Sequence, residues 1–282
     1  MLGLRIAECL PDVRWEYLAC DVSDADSVRR AIGGTDSPTV LNCAAFTDVD
    51  AAWQQAGNLD GACYQVNATG AGHVASACEE NNKKLVHLST EYVFNGERDG
   101  PYTEDDPTDA VDWYGITKAK GESLCLQNSS DALIIRLATP FQSASPVKLD
   151  IARKILAKLH SGQPATMFTD TIVTPTWTDD IARGIDALLR GEKSGLYHVV
   201  GSTPLSPFEF ATAVAEEFGL SRDLVIPTTL DEYLTQGTRP YARWLNISPD
   251  KLRRETGLTT STCSDALRAI HRQMAETSTP YC

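Results

Sequence analysis

The chain has 282 residues, enough for one large α/β domain, a smaller lobe and a substantial buried core. Apolar residues make up 42% and charged residues 22%, the balance of an ordinary globular protein. A formal net charge of −13 repels nucleic acid and anionic lipid, which argues against a nucleic-acid partner while leaving room for a local anion site.

Taken in chain order, residues 4–10 read as a helix; Arg5 and Glu8 break this opening run, so it is no signal-peptide core. Residues 15–20 read as a strand, 24–32 as a helix and 39–42 as a short buried strand. Residues 67–80 read as a helix rich in small residues, 84–89 as a strand, 114–126 as a long helix and 133–137 as a strand. This alternation predicts parallel strands joined by right-handed helical crossovers, a Rossmann-like doubly wound sheet. After Ala138 the texture changes: 139–147 reads as a loop, 148–160 and 178–189 as helices, 196–200 as a strand, and 207–218 and 264–275 as helices. The expected division is a Rossmann-like domain over 1–140 to which 174–200 returns, and a smaller interwoven lobe over 141–173 and 201–282.

No stretch approaches the roughly 20 apolar residues of a membrane span, so no membrane partner is expected. Eight scattered cysteines lack metal-site spacing and mostly sit in apolar segments. They read as reduced thiols of a cytoplasmic protein, and neither His nor Cys spacing supports a metal.

The chemistry concentrates in Tyr114-Gly115-Ile116-Thr117-Lys118. Residues four apart share a helix face. An ammonium beside a phenol favours the phenolate, so Lys118 is expected to lower the pKa of Tyr114 and tune it for proton transfer to a carbonyl oxygen. Lys118 can also hold a ribose hydroxyl. A bare Tyr-x-x-x-Lys is more often an ordinary surface helix, but here the helix follows a strand ending in Ser89-Thr90-Glu91. A hydroxyl at the C-terminal end of a central strand sits where α/β sheets bind ligands. Thr90 can therefore share the carbonyl oxygen with Tyr114, or simply cap the strand end.

Three further segments fit a dinucleotide site. The Asp21 carboxylate, followed by Val22, can accept from an adenine amino group or cap the next helix. In Asn42-Cys43-Ala44-Ala45-Phe46-Thr47 the small Ala44 and Ala45 let backbone approach a pyrophosphate or ribose, and Thr47 offers a hydroxyl. Asn67 reads as structural, bonding between neighbouring strand ends.

With these residues in view, the chain resembles the dTDP-4-dehydrorhamnose reductase family of extended short-chain dehydrogenases. The matching runs are Leu41 to Asp50, Val66-Asn67-Ala68, His87 to Gly96, Pro101-Tyr102-Thr103-Glu104, Tyr114 to Lys118 and Gly121-Glu122. Weaker echoes are Thr174-Pro175-Thr176, Ile181-Ala182 and Arg239-Pro240. The resemblance implies NADPH- or NADH-dependent reduction of the C4 ketone of a nucleotide-linked 6-deoxyhexulose. Tyr114 would be proton donor, Lys118 its support and ribose ligand, and Thr90 a holder of the ketone. It implies cofactor contacts at Asp21, Val22, Ala45, Phe46 and Thr47, and substrate contacts at Thr90 and Glu91. It leaves a homodimer open.

Departures from the pattern qualify the substrate. The family places Asp where Glu91 stands and a sugar-contacting tryptophan where Thr139 stands. The family also begins with a strand and a Gly-x-x-Gly-x-x-Gly loop; Met1-Leu2-Gly3 matches the last third of that loop, which puts Gly3 on the cofactor side. The first strand and first two glycines are not in the chain. The expectation is a start lying upstream, the other reading being a loss of normal cofactor binding. Two alternatives stand beside the reductase: a reductase or epimerase acting on another activated sugar, and a non-catalytic binding subunit resembling the regulatory subunit of methionine adenosyltransferase.

Overall fold

The structure is a computed structural model, described for residues 2–144, 149–234 and 238–277. In chain order its elements are α1 (Leu2–Cys9), α2 (Ala25–Gly33), β1 (Thr39–Asn42), α3 (Val49–Trp53), α4 (Ala62–Tyr64), a π turn (Gln65–Thr69), α5 (Gly70–Glu80) and β2 (Lys84–Thr90). A 3-10 turn (Glu91–Val93) leads on to α6 (Trp113–Asn128), β3 (Leu133–Leu137), β4 (Pro140–Phe141), α7 (Ile151–His160), β5 (Ala165–Phe168), β6 (Thr176–Trp177), α8 (Thr178–Arg190) and β7 (Gly195–His198). The last elements are α9 (Pro207–Glu217), a 3-10 turn (Arg222–Leu224), β8 (Val225–Thr228), α10 (Leu230–Tyr233), α11 (Asp250–Thr256) and α12 (Cys263–Thr277).

Four strands form one wholly parallel sheet in the order β1-β2-β3-β7. Its central strands are buried on both faces, which is why they read as nearly unbroken apolar runs. Side chains alternate between the two faces with period 2. Val86, Leu88, Leu133 and Ile135 meet α1, α8 and α11 through Ile6, Ile181 and Leu252. Leu85 and Ile134 meet α2, α5 and α6 through Ile32, Val74 and Cys125. His87 and Arg136 occupy this second face, opposite α6, where Arg136 makes a buried two-pronged ion pair with Glu122 at 2.9 and 2.7 Å. A separate core joins Phe141, Ile155, Phe210, Val214, Leu267 and Ile270 from the later helices, beside the paired β5 and β8.

Helix starts follow side-chain caps. Asp24, Asp48, Asp112 and Asp150 each accept a backbone N–H of the first turn, and Ser206 with Glu209 forms a capping box ahead of Pro207.

Four expectations need correction. Residues 15–20 are not a strand: they pair with no sheet, and Trp15 and Tyr17 lie exposed. Their alternation lacks the neighbouring strand that would turn it into structure. The helix foreseen from residue 67 begins at Ala62 and passes through a π turn. The helix foreseen from Lys148 starts at Ile151, set by the Asp150 cap; Lys148 itself, with 145–147, lies outside the described residues. The expected 139–147 loop contains the two-residue strand β4, paired with β6.

No described helix is long and apolar enough to cross a membrane. The described cysteines are all free thiols; Cys282 lies outside the described residues.

Candidate active site

The site forms where β2 ends against the first two turns of α6. Thr90 is the last residue of β2; its Oγ1 accepts from the backbone N–H of Tyr92 at 3.3 Å and donates to Glu91 Oε2 at 2.7 Å. The hydroxyl therefore caps the turn that follows β2 and meets the buried Glu91 carboxylate. Opposite, Asp112 caps α6 by accepting from the Gly115 N–H at 2.8 Å. Gly115 permits the close approach: a Cβ there would sit 2.1 Å from the Tyr92 carbonyl oxygen. With glycine between them, the Tyr92 and Tyr114 rings meet edge to face at 5.6 Å.

Tyr114 is tuned in the opposite direction from that expected. Burial raises its pKa well above the usual phenol value, the Glu91 carboxylate raises it further, and the Thr90 hydroxyl offsets only part. The ammonium of Lys118 is held elsewhere. Lys118 is 2% exposed, and its Nζ donates to the Leu88 carbonyl at 2.6 Å and lies 3.4 Å from His87 Nε2. Burial, the largest influence on it, brings the Lys118 pKa down to about 8.

Glu91, also buried, is raised above the ordinary carboxylate range, first by burial. Its Oε1 accepts from the Thr139 backbone N–H at 3.2 Å and from Thr139 Oγ1 at 3.5 Å. Thr139 holds φ = 41°, an uncommon conformation for a β-branched residue. Thr90, Glu91, Tyr114, Lys118 and Thr139 are thus brought together.

The residues foreseen for a dinucleotide lie along the adjoining loops. Ala44, Ala45 and Phe46 are half-buried and Thr47 is exposed. Asn67 fastens this loop: its Oδ1 accepts from Phe46 N–H at 2.8 Å and its Nδ2 donates to Phe46 O and Thr117 Oγ1, both at 3.1 Å. It ties the loop to α6, where sequence suggested a tie between strand ends. Phe46 joins Tyr114 and Trp113 in one apolar cluster. Gly3 lies within α1, where a Cβ would come 3.1 Å from Cys43 Sγ, so the helix rests directly on this loop. Asp21 is exposed and accepts from the Ser23 N–H and Oγ at 2.9 and 2.7 Å, which lowers its pKa. The Val22 side chain packs in the core against Gly70 at the start of α5.

These residues fit a nicotinamide dinucleotide by their own chemistry. Ser89 Oγ, buried at the end of β2, has no hydrogen-bond partner among the described residues. Small side chains and a close helix N-terminus border the loop after β1. No group of three or more His, Cys, Asp or Glu among the described residues is placed to hold a metal ion.

Sequence reasoning missed four contributors: Asp112, His87, Asn42 as a partner of His87, and Arg239. Arg239 bonds Asp50 at 3.0 Å and Asp112 at 3.1 Å and stacks on Tyr241 at 3.7 Å. The Asp three residues before Gly115 is a readable cap signal, and Arg239-Pro240 was visible only as a weak echo.

Known proteins resemble the chain over most of its length. The family model of the RmlD substrate binding domain matches residues 1–276. The spore coat polysaccharide biosynthesis protein SpsK of Bacillus subtilis (strain 168) is 34% identical over 244 residues, 85% of this chain and 83% of that protein. A dTDP-4-dehydrorhamnose reductase of Mycolicibacterium smegmatis is 34% identical over 227 residues, 78% of this chain and 66% of that protein. In fold, the chain is similar to a dTDP-4-dehydrorhamnose reductase from Bacillus anthracis str. Ames solved in complex with NADP: TM-score 0.87 and 23% identity, covering 96% of this chain and 95% of that one. The chain belongs to the dTDP-4-dehydrorhamnose reductase family, that of the RmlD substrate binding domain.

Proposed function

We propose that the protein is an NADPH- or NADH-dependent reductase of the C4 ketone of a nucleotide-linked 6-deoxyhexulose, acting in sugar-nucleotide biosynthesis. One observation carries the reading: Tyr114 and Thr90 converge at the end of β2 with Tyr114 held firmly in its protonated form. Ketone reduction needs a proton for the oxygen as hydride reaches the carbon, and a phenol that keeps its proton until that charge develops suits the task.

The bound nicotinamide supplies the hydride. The loop Ala44 to Thr47 would border the dinucleotide and Lys118 would bind the nicotinamide ribose, having donor capacity beyond its bond to Leu88. Thr90 would hold the ketone oxygen and Tyr114 would protonate it. Glu91 and Thr139 would meet the sugar. In this reading 1–140 with 174–200 serves the cofactor, while 141–173 and 201–282 serve the sugar.

A second reading, reduction of a different activated sugar, draws on the Glu91–Thr139 hydrogen bonds, which give the sugar-facing wall a shape of its own. Both readings are tested by following NADPH and NADH oxidation with dTDP-4-keto-6-deoxysugars and other nucleotide-linked ketosugars. Oxidation with the dTDP-linked compound supports the first, and oxidation with another ketosugar alone supports the second. If neither cofactor binds in calorimetry, the reductase reading fails.

A further inference from the structure

Behind Lys118 lies a pair of buried polar residues that ketone reduction as described does not use. His87, in the middle of β2, is 1% exposed, and Asn42, at the end of β1, is 7% exposed. The sheet register sets the two directly side by side. His87 Nδ1 lies 3.1 Å from Asn42 Nδ2, and His87 Nε2 lies 3.4 Å from Lys118 Nζ.

Hydrogen bonding fixes the proton positions in this row. Asn42 Oδ1 accepts from the Ala44 backbone N–H at 3.1 Å, so the amide NH₂ is the end that faces His87. An NH₂ only donates, so His87 Nδ1 must present its lone pair. A neutral imidazole carries one proton, which then sits on Nε2 and points at Lys118. The imidazolium form would set N–H against N–H at Asn42. Burial and the positive charge of Lys118 both push the His87 pKa well down, so the ring stays neutral. An ammonium has no lone pair to receive the Nε2–H, whereas a neutral amine has one.

We propose that Asn42 holds His87 in its Nε2–H tautomer and that His87, as a positioning residue, thereby favours the neutral amine of Lys118. The other groups around Lys118 pull the opposite way: Glu122 and Cys125 on its own helix, Cys43 after β1 and Cys63 on α4 all favour the ammonium. Burial outweighs them and brings Lys118 to about 8. His87 adds a directed N–H to that balance. The device sets whether Lys118 is charged near neutral pH, with no proton passing through His87.

The tautomer is read directly by long-range proton–nitrogen NMR on the whole protein labelled with ¹⁵N-histidine. The His87 signals, assigned by their loss in His87→Gln, should show a protonated Nε2 and a bare Nδ1 from weakly acid to weakly alkaline pH. A protonated Nδ1 would overturn the proposal. Asn42→Leu removes the donor with little change of volume. It should release the ring to the Nδ1–H tautomer, turn Nε2 into an acceptor for the ammonium, and raise the Lys118 limb of the kcat/KM profile by about one pH unit, a tenfold change in proton affinity. A merely structural Asn42 would lower activity without moving that limb, and that result also overturns the proposal. The kinetic arm rests on the reductase reading; the NMR arm does not, so an inactive protein with the Nε2–H tautomer would sink the reading while sustaining the tautomer assignment.

Discussion

Tyr114 holds its proton against two alternatives. Ionisation would bury a phenolate, and it would do so facing the Glu91 carboxylate. The consequence is a neutral donor that keeps its proton through the neutral range. Replacing Tyr114 by Phe should leave the ring packing against Tyr92 intact and cut turnover roughly 10²–10⁴-fold, the usual worth of a general acid. Steady-state kinetics checks this, with KM expected to move far less than kcat. Glu91→Gln tests the electrostatic part: without the carboxylate charge, Tyr114 should titrate at lower pH, seen as phenolate absorbance appearing earlier on the alkaline side. An unchanged titration would mean that burial alone holds the proton. Thr139 adds a cost of its own, since a non-glycine residue in a sparsely populated backbone region is strained by about 1–3 kcal/mol and persists only when its surroundings insist. The two bonds from Thr139 to Glu91 supply that insistence.

Helix α6 works as a rail that carries the site, and glycine decides how near it runs to its neighbours. A Cβ at Gly121 would stand 2.2 Å from the Asn67 carbonyl oxygen in the π turn, a backbone atom that cannot swing aside. Gly121→Ala should therefore force α6 outward and destabilise the fold by about 1–3 kcal/mol, measured by urea unfolding. A change within a few tenths would show the contact to be soft. Much of this rail was legible in sequence. Tyr114 and Lys118 lie four residues apart, and local spacing fixes their shared face. The parallel strands were legible for the same reason, as short apolar runs between helices. What sequence hid depends on distant partners. Nothing near His87 announces that β2 will turn it toward Lys118, 31 residues on, or toward Asn42, 45 residues back. Residues 15–20 carry a strand-like alternation with no strand beside them, and their exposed aromatics show that pattern without pairing makes no sheet. The lowered phenol pKa foreseen for Tyr114 failed because burial and then the Glu91 carboxylate raise it, while Lys118, though on the right face, donates to Leu88.

Over the whole molecule, acid should act first through the buried histidines. His198 stands at about 3 in the folded protein, burial being the main cause, against about 6.5 when unfolded. Between those values the unfolded chain binds the extra proton, so this contribution is fully present above about pH 6.5 and drains away as pH falls toward 3, at up to about 1.4 kcal/mol per pH unit. Glu91, Glu104 and Asp112, each raised by burial, oppose it by taking protons in the folded state first. The difference between the protein and His198→Asn isolates the histidine: the variant, which can still donate to the Ser248 carbonyl, should lose stability with acid less steeply by that slope. Equal slopes in chemical denaturation across this range would refute the assignment. The sheet itself carries a consequence for time rather than energy. Thr39 meets Lys84, Val86 meets Leu133 and Leu133 meets Gly195, so no strand of the main sheet reaches its neighbour through a tight turn. Every pairing must wait for a long segment of chain to close, and refolding should run on the order of milliseconds to seconds, far behind the microseconds of a hairpin. During that interval the bare strands β2 and β3 are the part of the chain most ready to find a wrong partner, which makes dilution a direct lever on refolding yield.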